Sequence, residues 1–145
     1  IKSPAELVVN AVRLSGGFEI PSEEVYQATI SSGLMGQPLL NPTSVEGWQG
    51  GEEWINTGTV VQRINFAADF LGNLKKKIIK NIILKKPNKK NLLEICLEEL
   101  GYIDLHKTTA VALSNHINDN EFILNEESIS IIIKLIASSR EFQMT

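Results

Sequence analysis

The chain has 145 residues, enough for one domain around one core. With 43% hydrophobic and 21% charged residues it has an ordinary globular balance, and its apolar runs of a few residues exclude a segment of the roughly 20 needed to cross a bilayer. The net charge of −3 hides an asymmetry, because residues 75–90 hold eight lysines and no acid while the rest holds six basic and 17 acidic residues; the lone Cys96 excludes an internal disulfide and a cysteine metal cluster.

The first element is "SPAELVVNAVRLSGG". Ser3 and Glu6 form a capping box, Pro4 suits the first helical position, and Gly16 and Gly17 supply a left-handed stop. "PSEEVYQATISSG" is a second helix, with Ser22 as its cap and Gly33 as its stop. Residues 36–59 follow, with both tryptophans, five of the ten glycines and two of the five prolines, and with neither helical nor strand periodicity. "TVVQRINFAADFLGN" restarts the helical pattern with a capping box at Thr59 and Gln62, and Asn56 or Thr57 just before it can help to start the helix. Val60, Val61, Ile64, Ala67, Ala68 and Leu71 form one apolar face, and Phe66 and Phe70 a second stripe. A helix apolar on two sides belongs at the centre of its domain.

Leu74, Ile78, Ile79, Ile82 and Ile83 keep helical spacing up to Pro87, with lysines opposite. "NKKNLLEICLEELG" is a fifth helix closed by Gly101, with Cys96 on its apolar face as a buried, inert thiol. "DLHKTTAVALSNHI" is a sixth, weakened by its threonines. "NEESISIIIKLIASS" is the last. Its isoleucine run has strand propensity, but Ile129, Ile132, Ile133 and Ile136 follow the helical repeat and Asn125 with two glutamates marks a helix start. The reading is an all-α domain over 1–145, with six to seven helices around one core and a long ordered Gly/Pro/Trp-rich loop over about 34–57.

"KSPAELVVNAVR", "MGQPLLNPTSVEGWQGGEEWINTGTVVQRINFA" and the terminal "SSREFQMT" resemble the C-terminal part of the bacterial "domain of unknown function 1800" family. In that family a K/R-S-P-x-E-L helix precedes a G-Q-x-L…P…V-x-G-W-P-G-G…W-I-N segment. A helix with R-x-N-F-A follows, and the end lies near S-P-E-F-Q. The resemblance covers residues 2–13 and 35–71, and more weakly 139–143. It is absent from about 73 to 135. Gln49 and Arg140 stand where the family has proline. The resemblance implies a mostly helical chain, a fragment of a longer and commonly exported or periplasmic protein, and no chemistry. The opening on "IKSPAEL" without methionine agrees with a fragment.

The tryptophan segment has two readings. In the first it is a packed loop. Trp48 and Trp54, each carrying a large apolar area, pin it to the first and third helices together with Leu34, Leu39, Leu40, Val45 and Ile55. Arg63 then reaches back to loop carbonyls or to Glu46, Glu52 or Glu53. In the second, Trp48 and Trp54 are platforms for a carbohydrate or peptide. Gln37, Asn41, Glu52, Glu53 and Arg63 supply its polar contacts. A hydrolytic site with Glu46, Glu52 and Glu53 has less support, because paired acids in a loop are usually solvated. His106 and His116 are ten residues apart on one helix, roughly 15 Å along its axis, too far to share a metal. No catalytic residue, metal or cofactor is assigned.

The lysine run, with Lys75, Lys76, Lys77, Lys80, Lys85 and Lys86, reads as the solvated face of a core-packed helix. As an alternative it anchors the chain to anionic surfaces. The run lacks arginine and aromatic residues, which argues against nucleic acid as a partner. The sequence therefore points to a non-enzymatic module that completes a larger protein or presents a partner surface for it. The rest of the parent chain or another protein is the implied partner.

Overall fold

The computed structural model describes residues 1–16, 23–48 and 50–144. Among them the helices are α1 (Pro4–Ser15), α2 (Glu23–Leu34), α3 (Thr57–Leu71), α4 (Lys77–Leu84), α5 (Leu92–Glu99), α6 (Lys107–Asn118), α7 (Glu126–Ser138) and α8 (Arg140–Met144). One turn of 3-10 helix, Gly51–Trp54, interrupts the connection between α2 and α3. No strand occurs among the described residues, so the domain is all-α. The isoleucine run of α7 is helical, with Ile132 and Ile133 buried and Ile131 turned to solvent.

Local chemistry explains where several of the helices begin. Ser3 Oγ accepts the Glu6 N–H and the Glu6 carboxylate accepts the Ser3 N–H at 2.7 Å, which closes the capping box of α1. The helix ends at Gly16, whose φ of 84° is the left-handed conformation open to glycine; Gly17 and Ser22 lie outside the described residues. Gly33 does not stop α2. It stays helical, and the chain turns at Gly36, where φ is 97°.

The α3 box is Asn56 with Thr59, not Thr59 with Gln62. Asn56 has the extended backbone of a cap, its Oδ1 accepts the Gly58 and Thr59 N–H groups, and Thr59 Oγ1 accepts the Asn56 N–H. Asn125 and Ser128 build the same device for α7. His106 is not within α6. It is the cap, and its Nδ1 faces the Thr108 N–H.

Helices α3 and α7 lie against each other at the centre. α1 and α2 flank α3, and α4 and α5 flank α7. Ala67 and Leu71 of α3 meet a core built from Leu7 and Ala11 of α1, Ile79 and Ile82 of α4, and Ile132, Ile133 and Ile136 of α7. Val61, read as part of the apolar face, is 52% exposed. Phe66 and Phe70 stack at 5.2 Å on the side toward α2 and stay half-buried.

The close approach of α3 and α7 runs through Gly72. Its carbonyl accepts the Ser130 hydroxyl, and a Cβ there would stand 2.8 Å from the Ala68 carbonyl oxygen and overlap the Lys134 side chain. α8 is an element the sequence reading did not foresee. It buries Phe142 and ties the two ends of the chain together. Lys2 Nζ donates to the Phe142 carbonyl at 2.8 Å and lies over the Phe142 ring.

Candidate functional site

The tryptophan connection is held at its two ends. At its start Gln37 Oε1 accepts the Ala5 N–H at 2.9 Å, and Ser32 Oγ donates to the Gln37 carbonyl. At its finish the 3-10 turn carries Trp54, which is 9% exposed, and the Trp54 carbonyl accepts the Thr59 hydroxyl. Trp48 is half-buried, and its shielded Nε1 has no hydrogen-bond partner. Both rings line a recess of about 180 Å³ with Met35, Glu53 and Asn56.

The aliphatic residues expected to pin the loop do not. Leu34, Leu39 and Ile55 are exposed, Leu40 is 96% exposed and Val45 is wholly in solvent. The reason is local. Leu40 sits at φ 62° in the turn where the Asn41 N–H donates to the Pro38 carbonyl. Val45 occupies the tip of the turn between Ser44 and Gly47. Side chains at such tips project away from the body that carries them.

The seven residues grouped around a ligand by sequence are distributed over separate places. Trp48, Trp54 and Glu53 share the small recess. Gln37 serves α1, and Asn41 is exposed in its turn. Glu52 lines a different and larger cavity, of about 580 Å³, together with Arg63. Arg63 does not reach back to the loop or pair with Glu46, Glu52 or Glu53. Its Nη2 donates to the Lys2 carbonyl at 2.7 Å, across 61 positions of sequence. The side chain is 1% exposed, and Nε and Nη1 have no partner. Removal from water lowers the proton affinity of this guanidinium, because burial penalises its charged form. Gln143, on the same cavity, donates from Nε2 to the Ala137 carbonyl and leaves a buried Oε1 unpartnered.

A second groove escaped the sequence reading. It has about 440 Å³ between α2 and α3, with Phe66 and Phe70 beside Gln27, Gln62, Asn65 and Asp69. The phenylalanine spacing was the available signal, but it reads equally as core.

The lysines do not form one uniform face. Lys75, Lys77, Lys80 and Lys86 are exposed. Lys76 is buried, with its ammonium 4.0 Å from the centre of the Phe70 ring. Lys85 bridges Glu98 at 2.9 Å and Glu99 at 2.8 Å, and the hydrogen bonds to Glu99 and Glu98 raise its proton affinity. His116 meets the Phe122 ring edge-on. Among the described residues no three His, Cys, Asp or Glu side chains stand close enough to hold a metal ion, and no helix is long and apolar enough to cross a membrane. Burial pushes the Cys96 thiol up to about 12, with the Glu99 charge adding to the effect, so its thiolate is scarce at neutral pH.

The chain was compared with protein families, with curated proteins and with solved structures. The family described as "Protein of unknown function (DUF1800)" matches residues 1–144. Neither the curated proteins nor the solved structures gave a match.

Proposed function

The chain belongs to that family of unknown function, and from this premise we propose that it is a non-enzymatic helical module that presents a partner surface within a larger exported protein. The exported setting rests on the family resemblance, and the contact role rests on one observation. A connection anchored through Gln37, Trp54 and Asn56 displays Leu39, Leu40, Val45 and Ile55 to solvent. Single exposed apolar side chains are ordinary. Several on one anchored loop are what a protein contact uses.

The alternatives have weaker support. The recess between Trp48 and Trp54 is about 180 Å³, below the roughly 300 Å³ at which ligand pockets begin, which weakens the carbohydrate or peptide reading there. The anionic-surface reading loses Lys76 to the Phe70 ring and Lys85 to two glutamates.

The test places a photo-reactive side chain at Leu40, at Val45 or at Ile123, a third exposed position after α6, in the longer protein. A discrete cross-linked product from Leu40 and Val45, absent from Ile123, is the expected result. Equal yields at the three positions, or none at the first two, would overturn the contact role.

A further inference from the structure

We infer that the cavity beside Arg63 is a binding site for a monocarboxylate with an apolar body. The starting point is a buried cation without a counter-charge. A guanidinium offers five N–H donors in a fixed fork that matches a carboxylate. Only Nη2 has a protein partner here, while Nε and Nη1 are shielded and unpaired. Burying such a group unpaired is among the costlier arrangements in a fold.

The lining narrows the ligand. Arg63 and Arg140 face one carboxylate, Glu52, so the charged side chains of the wall leave an excess of one positive charge, which suits a monoanion better than a dianionic phosphate. Ile55, Val60, Ile64 and Met144 supply an apolar surface. Gln143 has its Nε2 committed to Ala137, which fixes the amide and leaves Oε1 to accept a hydrogen bond. A hydroxyl or N–H next to the carboxylate meets that need. The volume of about 580 Å³ lies within the range of small-molecule sites. The two unpaired nitrogens are shielded, so binding requires the guanidinium to turn into the cavity on its stem.

The probes are phenyllactate, its neutral amide phenyllactamide, and inorganic phosphate, each titrated calorimetrically into the chain. Phenyllactate should bind saturably and weaken with added salt, and phenyllactamide should bind at least about tenfold more weakly, as expected when a charge-assisted pair becomes neutral. Arg63→Lys, which keeps the charge and loses the fork, should weaken phenyllactate by a similar factor. Because Arg63→Lys can unfold the protein, Arg140→Gln at the exposed rim carries the same test and should weaken phenyllactate by about threefold without a change in melting. Equal binding of acid and amide, phosphate tighter than phenyllactate, unaltered affinity in Arg140→Gln, or heats consistent with a water-filled cavity only would each overturn the assignment.

Discussion

Replacing Trp54 by alanine tests what holds the long connection in place. An aromatic side chain of this size buries about 150–250 Å², and at about 25 cal/mol per Å² that corresponds to roughly 4–6 kcal/mol. Trp54 is 9% exposed, so nearly all of that area is at stake. Two features reduce the figure. Trp54 stands outside the main cluster of core side chains, and a recess of about 180 Å³ adjoins it, so its neighbours can relax into the space left behind. The cost of a large-to-small change depends on that collapse, and about 3 kcal/mol is the expected loss. Trp48→Ala should cost about half as much, because that ring is only half-buried. Val45→Ala, wholly exposed, should stay within about 0.5 kcal/mol of wild type.

Urea unfolding measures all three, with the remaining tryptophan as the fluorescent reporter in each indole variant. An unchanged slope against urea shows that the midpoint shift is a stability change. A loss below about 1 kcal/mol for Trp54→Ala, or a larger loss for Trp48→Ala than for Trp54→Ala, would refute the anchoring role of this ring.

Two further outcomes follow from the close contacts and from the capping. Gly72→Ala should destabilise by about 1–3 kcal/mol, because its Cβ would stand 2.8 Å from the Ala68 carbonyl oxygen. Gly50→Ala, where nothing lies within 4 Å, is the control, and equal midpoints in urea for the two variants would dismiss the packing argument. The Glu6 carboxyl is held below its ordinary range first by the Ser3 N–H and then by the Ser3 hydroxyl. A depressed folded value contributes stability above the unfolded value of about 4.3 and loses it as pH falls through the folded value. The difference in thermal midpoint between wild type and Glu6→Gln should therefore be present at neutral pH and shrink in acid, and a gap that grows below about pH 4 would reverse the sign of this argument.

The parts of the fold legible in the sequence are those fixed within one turn of the chain. Ser3 with Glu6 marks α1 because a cap and its partner lie three residues apart, and Asn125 followed by Glu126 and Glu127 marks α7 because acids favour the first turn of a helix. The start of α3 is displaced in the sequence reading because Asn56, Thr57 and Thr59 all have capping chemistry, and only the extended backbone at Asn56 decides among them. α8 has five residues, too few for a periodic pattern. The candidate site fails for a related reason. Sequence proximity offered Arg63 the glutamates of the loop, whereas its partner is the Lys2 carbonyl. It likewise gave every lysine the same environment, although Lys76 lies over Phe70 and Lys85 lies between two acids. These distinctions are set by tertiary packing, to which composition and spacing are blind.

The connection from α2 to α3 has one 3-10 turn and no strand among its described residues. Its fixed points are side chains at its ends: Gln37 on the Ala5 N–H, Trp54 in the wall of the recess, and Asn56 with Thr59 at the start of α3. The 3-10 turn serves two walls at once, since Trp54 borders the small recess while Glu52 of the same turn, and Ile55 just after it, border the Arg63 cavity. Between the fixed points the chain spends its apolar residues where the fold gains nothing from them. Leu40 combines a φ of 62° with 96% exposure. A left-handed backbone is uncommon for leucine and easier for glycine or asparagine, and an exposed isobutyl group contributes no burial. On both counts a glycine or asparagine would suit this position better, which agrees with the contact role proposed for this loop.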